Sequence, residues 1–321
     1  MNLFFRIRSR LTRLWLESVA PLRLKLVDIN CLGYPGLIAV LLLFFHDTVD
    51  NWATFILLHF LVIALILFIV RQGERQPNRQ MFVFLRTFYP IAVLAFCWSE
   101  IGATSRMFFS DYWATEAIIS LDRLVFGVSP TAWFQQFYRP WLDELMNLFY
   151  SGFFLFMPVV SLTLYFQDRK QDALAAFSLG TFIHLSNFML FRLFPTLAPF
   201  MTESIASSHP QQYTGYLFAE ITRITQSHGA QPGGTFPSVH VSTAIGWALI
   251  AFHFERRWGF FLIPAAIGVA ISTVYLGYHH ALDAVFGFLW GILAFLIALK
   301  ILKRRNEDRP SETPSDFPAG A

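Results

Sequence analysis

Two short segments of this 321-residue chain place ionisable side chains at the ends of long apolar runs: Phe236-Pro237-Ser238-Val239-His240, and Ser272 through His279 to Asp283. Histidine and carboxylate are costly near lipid, so their presence there is a functional hypothesis by default. His279 and Asp283 are four residues apart and share a face if helical. A carboxylate accepting from one imidazole nitrogen leaves the other as an outward lone pair, which is a nucleophile with an orienting group. His240 comes from a separate segment and can protonate a departing oxygen. The chemistry indicated is phosphoryl transfer through a phosphohistidine.

The segment before His240 supplies an anion seat. Gly233, Gly234 and Thr235 lead into Pro237, a residue suited to the first helical position. The first N–H groups of such a helix are unpaired and its dipole favours an anion, and Ser238 adds a hydroxyl donor. His280 points about 100° away from His279 around a helix and reads as a wall or headgroup contact. Zinc held by His240, His279, His280 and Asp283 is the alternative chemistry, although it leaves the anion seat without a purpose. His184 and Asn187, one turn apart, read as hydrogen-bonding partners of a neighbouring helix.

The elements that must carry these residues are membrane helices. The chain is 55% hydrophobic and 14% charged, against roughly 25% charged in soluble domains. Eight apolar stretches approach the length of about 20 residues that spans a bilayer: 31–46, 54–71, 81–101, 143–166, 172–195, 236–254, 259–278 and 281–302. The basic residues before the first span, Arg71, Arg75 and Arg79, Arg169 and Lys170, Arg256 and Arg257, and Lys303 to Arg305 then share one side. The positive-inside rule predicts cytoplasmic termini and a motif-bearing face on the other side. Residues 1–30, basic and interleaved with apolar side chains, read as an amphipathic segment on the inner leaflet rather than a secretory signal. Residues 31–80 hold two accessory spans, 102–142 short interfacial helices, 196–235 a loose outer loop, and 306–321 a disordered tail. A net charge of +3 gives no reason to expect nucleic acid. Cys31 and Cys97 read as buried thiols.

Pro237-Ser238-Val239-His240 and Ser272…His279…Asp283 resemble the second and third signature motifs of the type 2 phosphatidic acid phosphatase superfamily. Thr273, the His279-His280 doublet, Tyr275-Leu276 and the Phe-Pro-Ser-x-His form are similar to its inositol phosphorylceramide synthase branch. So is the stretch Leu121-Asp122-Arg123 to Phe126-Gly127, Pro130 and Trp133. The resemblance covers about residues 81–302. It implies an all-α integral membrane protein, with a six-helix catalytic core over 81–305 and two N-terminal helices before it. It further implies that His279 attacks phosphorus, Asp283 holds His279, His240 protonates the leaving group, Ser238 and the helix amides bind phosphate oxygens, and Ser272 lines the pocket. No metal or cofactor is implied.

Two features depart from the phosphatases of that superfamily. Thr273 stands where they carry arginine, and their Lys-x6-Arg-Pro motif has no counterpart beyond Phe191-Arg192-Leu193-Phe194-Pro195. A bound phosphate needs compensating charge. Arg192 is the first candidate, with Arg223 and Arg106 behind it, and snorkelling to headgroups is the alternative role for Arg192. The expected function is transfer of a phosphoryl or phospho-headgroup from a lipid phosphate donor to a lipid or sugar acceptor. Hydrolysis of a lipid phosphate or polyprenyl pyrophosphate is the second reading, and a non-catalytic lipid-binding or scrambling protein the third. Short loops suggest a bacterial inner membrane with the site facing the periplasm; a eukaryotic lumenal site stays open.

Overall fold

A computed structural model describes residues 22–202 and 215–307. Most of the expected inner-leaflet segment and of the expected tail lie outside the described residues. Seven helices are long and apolar enough to cross a membrane: Leu26–Phe44, Trp52–Arg75, Gln80–Ser99, Pro140–Phe166, Lys170–Leu193, Arg256–Tyr275 and Ala281–Arg305. We number the helices α1 (Leu26–Phe44), α2 (Trp52–Arg75), α3 (Gln80–Ser99), α4 (Thr115–Phe126), α5 (Pro130–Gln135), α6 (Pro140–Gly152), α7 (Phe156–Phe166), α8 (Lys170–Leu193), α9 (Leu217–Gly229), α10 (Val239–Phe254), α11 (Arg256–Tyr275) and α12 (Ala281–Glu307). A single 3-10 turn, Phe153–Leu155, joins α6 to α7.

Expectation and structure part at two places. The span expected over 236–254 is α10, a helix of 16 residues, about 24 Å long at 1.5 Å per residue against a hydrocarbon core of about 30 Å. It starts three residues later than expected because Phe236 and Pro237 stay outside the helix and Ser238 is its N-cap. Among the described residues the bilayer-length helices therefore number seven, with α10 as a shorter apolar helix beside them. The stretch 196–235, expected as a loose loop, contains α9. Glu144 of α6 makes this helix possible: its carboxylate accepts from the amides of Tyr216 (2.7 Å), Phe218 (2.8 Å) and Ala219 (3.2 Å), satisfying donors that a helix start leaves unpaired.

α8 runs through the centre of the bundle. It touches α1, α3, α7, α10 and α12, and so its polar residues turn inward and find partners. Asn30 of α1 donates to the Ser178 carbonyl (2.8 Å) and the Thr181 hydroxyl (3.0 Å), and Asn187 donates to Ser242 of α10 (2.9 Å). Small residues let the neighbouring helices close in. A Cβ at Gly287 would lie 2.6 Å from the Ser238 carbonyl oxygen, and one at Gly291 2.5 Å from that of Ser242. α12 and α10 thus meet backbone to backbone, the close approach that small residues permit between membrane helices.

Basic residues gather at one end of the bundle. There Arg305 of α12 donates to the Leu24 carbonyl (3.0 Å), the Arg23 amide to Glu74 of α2 (2.9 Å), and Arg169 to the Phe254 carbonyl (3.0 Å). The opposite end gathers the start of α10, the turn between α11 and α12, and the extended chain around Thr196, which bridges Gly233 and Gly234.

Candidate active site

The turn at 276–280 is drawn tight by one carbonyl. Thr273 accepts from the amides of both Tyr278 (3.0 Å) and His279 (3.1 Å), and Gly277 adopts the left-handed φ of +72° that a side chain would oppose. Asp122 of α4 then caps α12, accepting from the amides of Ala281 (3.0 Å) and Leu282 (2.9 Å). The Asp283 carbonyl accepts from the Ser238 amide (2.9 Å), so the start of α12 fixes the start of α10. Ser238 is the N-cap of α10, its hydroxyl accepting from the Val241 amide (3.3 Å).

This scaffold sets two imidazoles side by side. His240 Nδ1 lies 3.2 Å from His279 Nε2. His279 Nδ1 lies 3.0 Å from the Thr235 carbonyl oxygen and 3.5 Å from Asp283 Oδ2. Because a carbonyl only accepts, Nδ1 of His279 carries the proton and its Nε2 holds the lone pair. His240 Nδ1–H must then donate to that lone pair. His240 Nε2, left as an acceptor, takes the Tyr150 hydroxyl proton at 3.1 Å, and Gln226 donates to the Tyr150 oxygen. The Tyr150 ring also stacks on His240, with centroids 4.8 Å apart. Burial pushes the His279 pKa down to about 3, which favours the neutral ring whose Nε2 is an acceptor.

The pair stands at one end of a cavity of about 390 Å³. Gly234, Thr235, Tyr278, Gln226 and Gln231 line it beside the two histidines, and Ile91, Leu94 and Trp98 of α3, Phe153, Met157 and Phe188 supply apolar wall. α3 and α7 touch through Phe88 and Tyr165, centroids 5.3 Å apart, and the cavity lies between their other halves.

The expected site residues fall into three groups. His240, His279, Gly234 and Thr235 line the cavity, and Asp283 lies behind His279. Ser238 and Ser272 are fully buried and spend their hydroxyls on helix backbone, Ser272 donating to the Val269 carbonyl (2.8 Å); neither lines the cavity. Arg192 is the correction. It is fully buried and donates to the Tyr34 hydroxyl (2.6 Å), the Phe188 carbonyl (3.0 Å), Glu100 (2.8 Å) and Thr104 (2.7 Å), while Glu100 also meets His59 (3.0 Å). It neither reaches the cavity nor snorkels, because α1, α2 and α3 close around it.

Arg106 is exposed and donates to the Ser110 carbonyl (2.6 Å), and Arg223 pairs with Glu220. Among the described residues no lysine or arginine lines the cavity, and residues 203–214 carry neither. His280 is turned aside, its Nε2–H donating to the Leu197 carbonyl (3.1 Å). Tyr150, Gln226 and the cap by Asp122 were missed in the sequence. Nothing in a lone tyrosine marks a contact with a histidine 90 positions away. Asp122 lies in the Leu121-Asp122-Arg123 stretch.

Comparison with known proteins bears on this geometry. The family model described as the PAP2 superfamily matches residues 116–297, more than half of the chain. The chain belongs to the PAP2 superfamily. A PA-phosphatase related-family protein of Dictyostelium discoideum is 36% identical over 70 residues, covering 22% of this chain and 13% of that relative. No solved structure matches. The PAP2 match begins after α3, whereas the resemblance in the sequence reached back to about residue 81. α3 nevertheless supplies one wall of the cavity, so the site of this PAP2 chain extends beyond the matched segment.

Proposed function

We propose that this chain is a membrane-embedded phosphotransferase that works through a phosphohistidine at His279. The carrying observation is the 3.2 Å approach of His240 Nδ1 to His279 Nε2 in a cavity with apolar walls. In the first step His240 enters as the imidazolium, protonated on both ring nitrogens with its Nε2–H donating to the Tyr150 oxygen; the His279 Nε2 lone pair attacks phosphorus, the bond to the leaving oxygen breaks, and the His240 Nδ1 proton goes to that oxygen, leaving His240 neutral. In the second, an acceptor hydroxyl gives its proton to His240, its oxygen attacks phosphorus, and the N–P bond breaks to restore the lone pair. The phosphoryl group lies between the two nitrogens throughout, so occupancy parts the rings. Gly234, Thr235 and the first amides of α10 supply the anion seat. Thr235 also orients His279 through its carbonyl, with Asp283 beside it to stabilise the imidazolium that forms.

Among the described residues no lysine or arginine lines the cavity, which favours a phosphodiester, since it carries less charge than a monoester. That preference, together with Thr273 in place of arginine, supports transfer of a phospho-headgroup to a lipid or sugar acceptor, in the manner of the inositol phosphorylceramide synthase branch. Hydrolysis, with water as the entering hydroxyl, is the second reading, and the phosphatase-related Dictyostelium relative favours it. The basic residues at the far end of the bundle support cytoplasmic termini and a site facing the opposite compartment, with eight crossings if α10 counts as one.

Labelled donor lipid should leave acid-labile phosphate on the protein, and His279→Ala should abolish both label and turnover. His240→Ala should bind lipid but turn over at least about a hundredfold more slowly. Lipid mass spectrometry of cells with and without the gene identifies donor and acceptor. Wild-type turnover by His279→Ala defeats the proposal and leaves the lipid-binding or scrambling reading.

A further inference from the structure

Helix α4 takes no part in the chemistry above, yet it holds both halves of the site. Its Asp122 accepts from the amides of Ala281 and Leu282, directly beyond the His279-His280 doublet. At its start the Ala114 amide donates to the Pro195 carbonyl (2.8 Å), and the Thr115 hydroxyl accepts from the Leu197 amide (3.0 Å). The segment held in this way is the one whose Thr196 bridges Gly233 and Gly234 and whose Leu197 carbonyl accepts from His280. One short helix therefore fixes the turn that carries His279 and the chain beside Gly233 and Gly234.

The 12 residues of α4 fall into three rows at helical spacing. Thr115, Ile118, Ile119 and Asp122 are buried. Glu116, Ser120 and Arg123 form an exposed polar row, and Ala117, Leu121 and Leu124 an exposed apolar row with Val125 beside it. At 3.6 residues per turn the rows point about 120° apart. A helix between protein and water needs two faces. The third, where Leu124 is 79% and Val125 60% exposed, calls for an apolar environment of its own.

The neighbouring elements say which. α12, whose first amides Asp122 caps, is long and apolar enough to cross a membrane. It exposes Val285, Phe286, Leu289 and Leu293, and Val285 stands about 6 Å along the axis from the capped Ala281. α4 thus crosses the head of a spanning helix within about one turn of its exposed apolar column. Beyond Gly127, left-handed at a φ of +74°, the chain adds exposed Val128, Trp133 and Phe137, the two rings 4.7 Å apart. Tryptophan favours the boundary between membrane and water.

We propose that α4 is a membrane-surface brace. Its apolar row sits in the boundary between headgroups and acyl chains of the leaflet at the site's end of the bundle, and its polar row faces water. That seat keeps the His279 turn and the Thr196–Gly233 contact in register. The occupant of the open row is lipid rather than a second copy of the chain. The seat requires nothing of the catalytic reading; only its effect on turnover rests on the phosphotransferase proposal.

Cys31 and Cys97 are fully buried, so a spin label on one introduced cysteine reports that position. Full-length Leu121→Cys, Leu124→Cys, Glu116→Cys and Ser120→Cys are labelled and placed in phosphatidylcholine nanodiscs. Relaxation by oxygen, which concentrates among acyl chains, is compared with relaxation by a water-soluble nickel chelate. Labels at 121 and 124 should favour oxygen, and labels at 116 and 120 the chelate. Equal access of the chelate to all four overturns the proposal. So does a label at 124 that neither reagent reaches, because protein then covers the row.

The brace is tested by Leu124→Asp, which charges the seat and leaves Asp122 and Thr115 in place. Hydrogen exchange over 276–284 in the same nanodiscs should quicken about tenfold, with exchange in α1 and α2 unchanged, and Leu124→Met should match the unaltered chain. Unchanged exchange over 276–284 overturns the brace. The label comparison needs no disruptive variant, so it decides the seat even where Leu124→Asp does not fold. A seated α4 in a chain that forms no phosphoenzyme keeps the brace and removes the catalytic reading; phosphoenzyme with α4 unseated does the reverse.

Discussion

At the scale of single residues, the direction of each proton decides what the site can do. The Thr235 carbonyl commits His279 to one tautomer, and that choice passes through His240 to Tyr150. Tyr150→Phe leaves the ring stacked on His240 but removes the hydroxyl that holds its Nε2. Turnover should fall about tenfold, with little change in lipid affinity and a shifted pH profile; an unchanged profile would make Tyr150 a packing residue only. His279 makes a second prediction. Its folded pKa of about 3 lies below the ordinary histidine value of about 6.5, so between these values the unfolded chain binds the extra proton. Stability should therefore be fully present above about pH 6.5 and fall progressively as the pH drops toward 3. Thermal unfolding in detergent across that range should show a shallower decline for His279→Ala.

At the scale of elements, the site is built by helix starts that hold one another. Asp122 of α4 caps α12, the Asp283 carbonyl of α12 holds Ser238, and Ser238 caps α10. Asp122→Ala removes the acceptor of two amides at once and should cost about 1–2 kcal/mol of stability. It should also lower turnover by loosening the His279 turn, whereas Asp122→Asn, which keeps an acceptor, should recover part of both. Equal loss in the two variants would point to charge rather than capping. The Phe236 to His240 motif and the Ser272 to Asp283 motif were readable in the sequence because each is a local run with its own chemistry. α9 was not, because its start is made by Glu144 from a helix far away in the chain. α10 is shorter than the run 236–254 for a simpler reason: Phe236, Pro237 and the N-cap Ser238 precede its first turn.

At the scale of the whole molecule, Arg192 ties the first two helices to the rest. Its guanidinium and Glu100 join Tyr34 of α1, His59 of α2 and Thr104 to α8. Removing one member of a buried ion pair strands the other and typically costs about 3–5 kcal/mol. Arg192→Met should therefore lower the melting temperature and the yield of folded protein. The protein that remains folded should keep its lipid affinity; a selective loss of affinity with unchanged melting would return Arg192 to the phosphate.

The amino-acid order alone determined that this chain is a bundle of apolar helices. It also determined that His240, His279 and Asp283 emerge at one end of it, because span length, basic residues and motif spacing are properties of contiguous sequence. Only the packed bundle decided which cation was consumed in the core, which carbonyl aims His279, and that Tyr150 shares a cavity with the histidines. Such contacts join residues tens of positions apart, and their partners are set by how neighbouring helices close on one another.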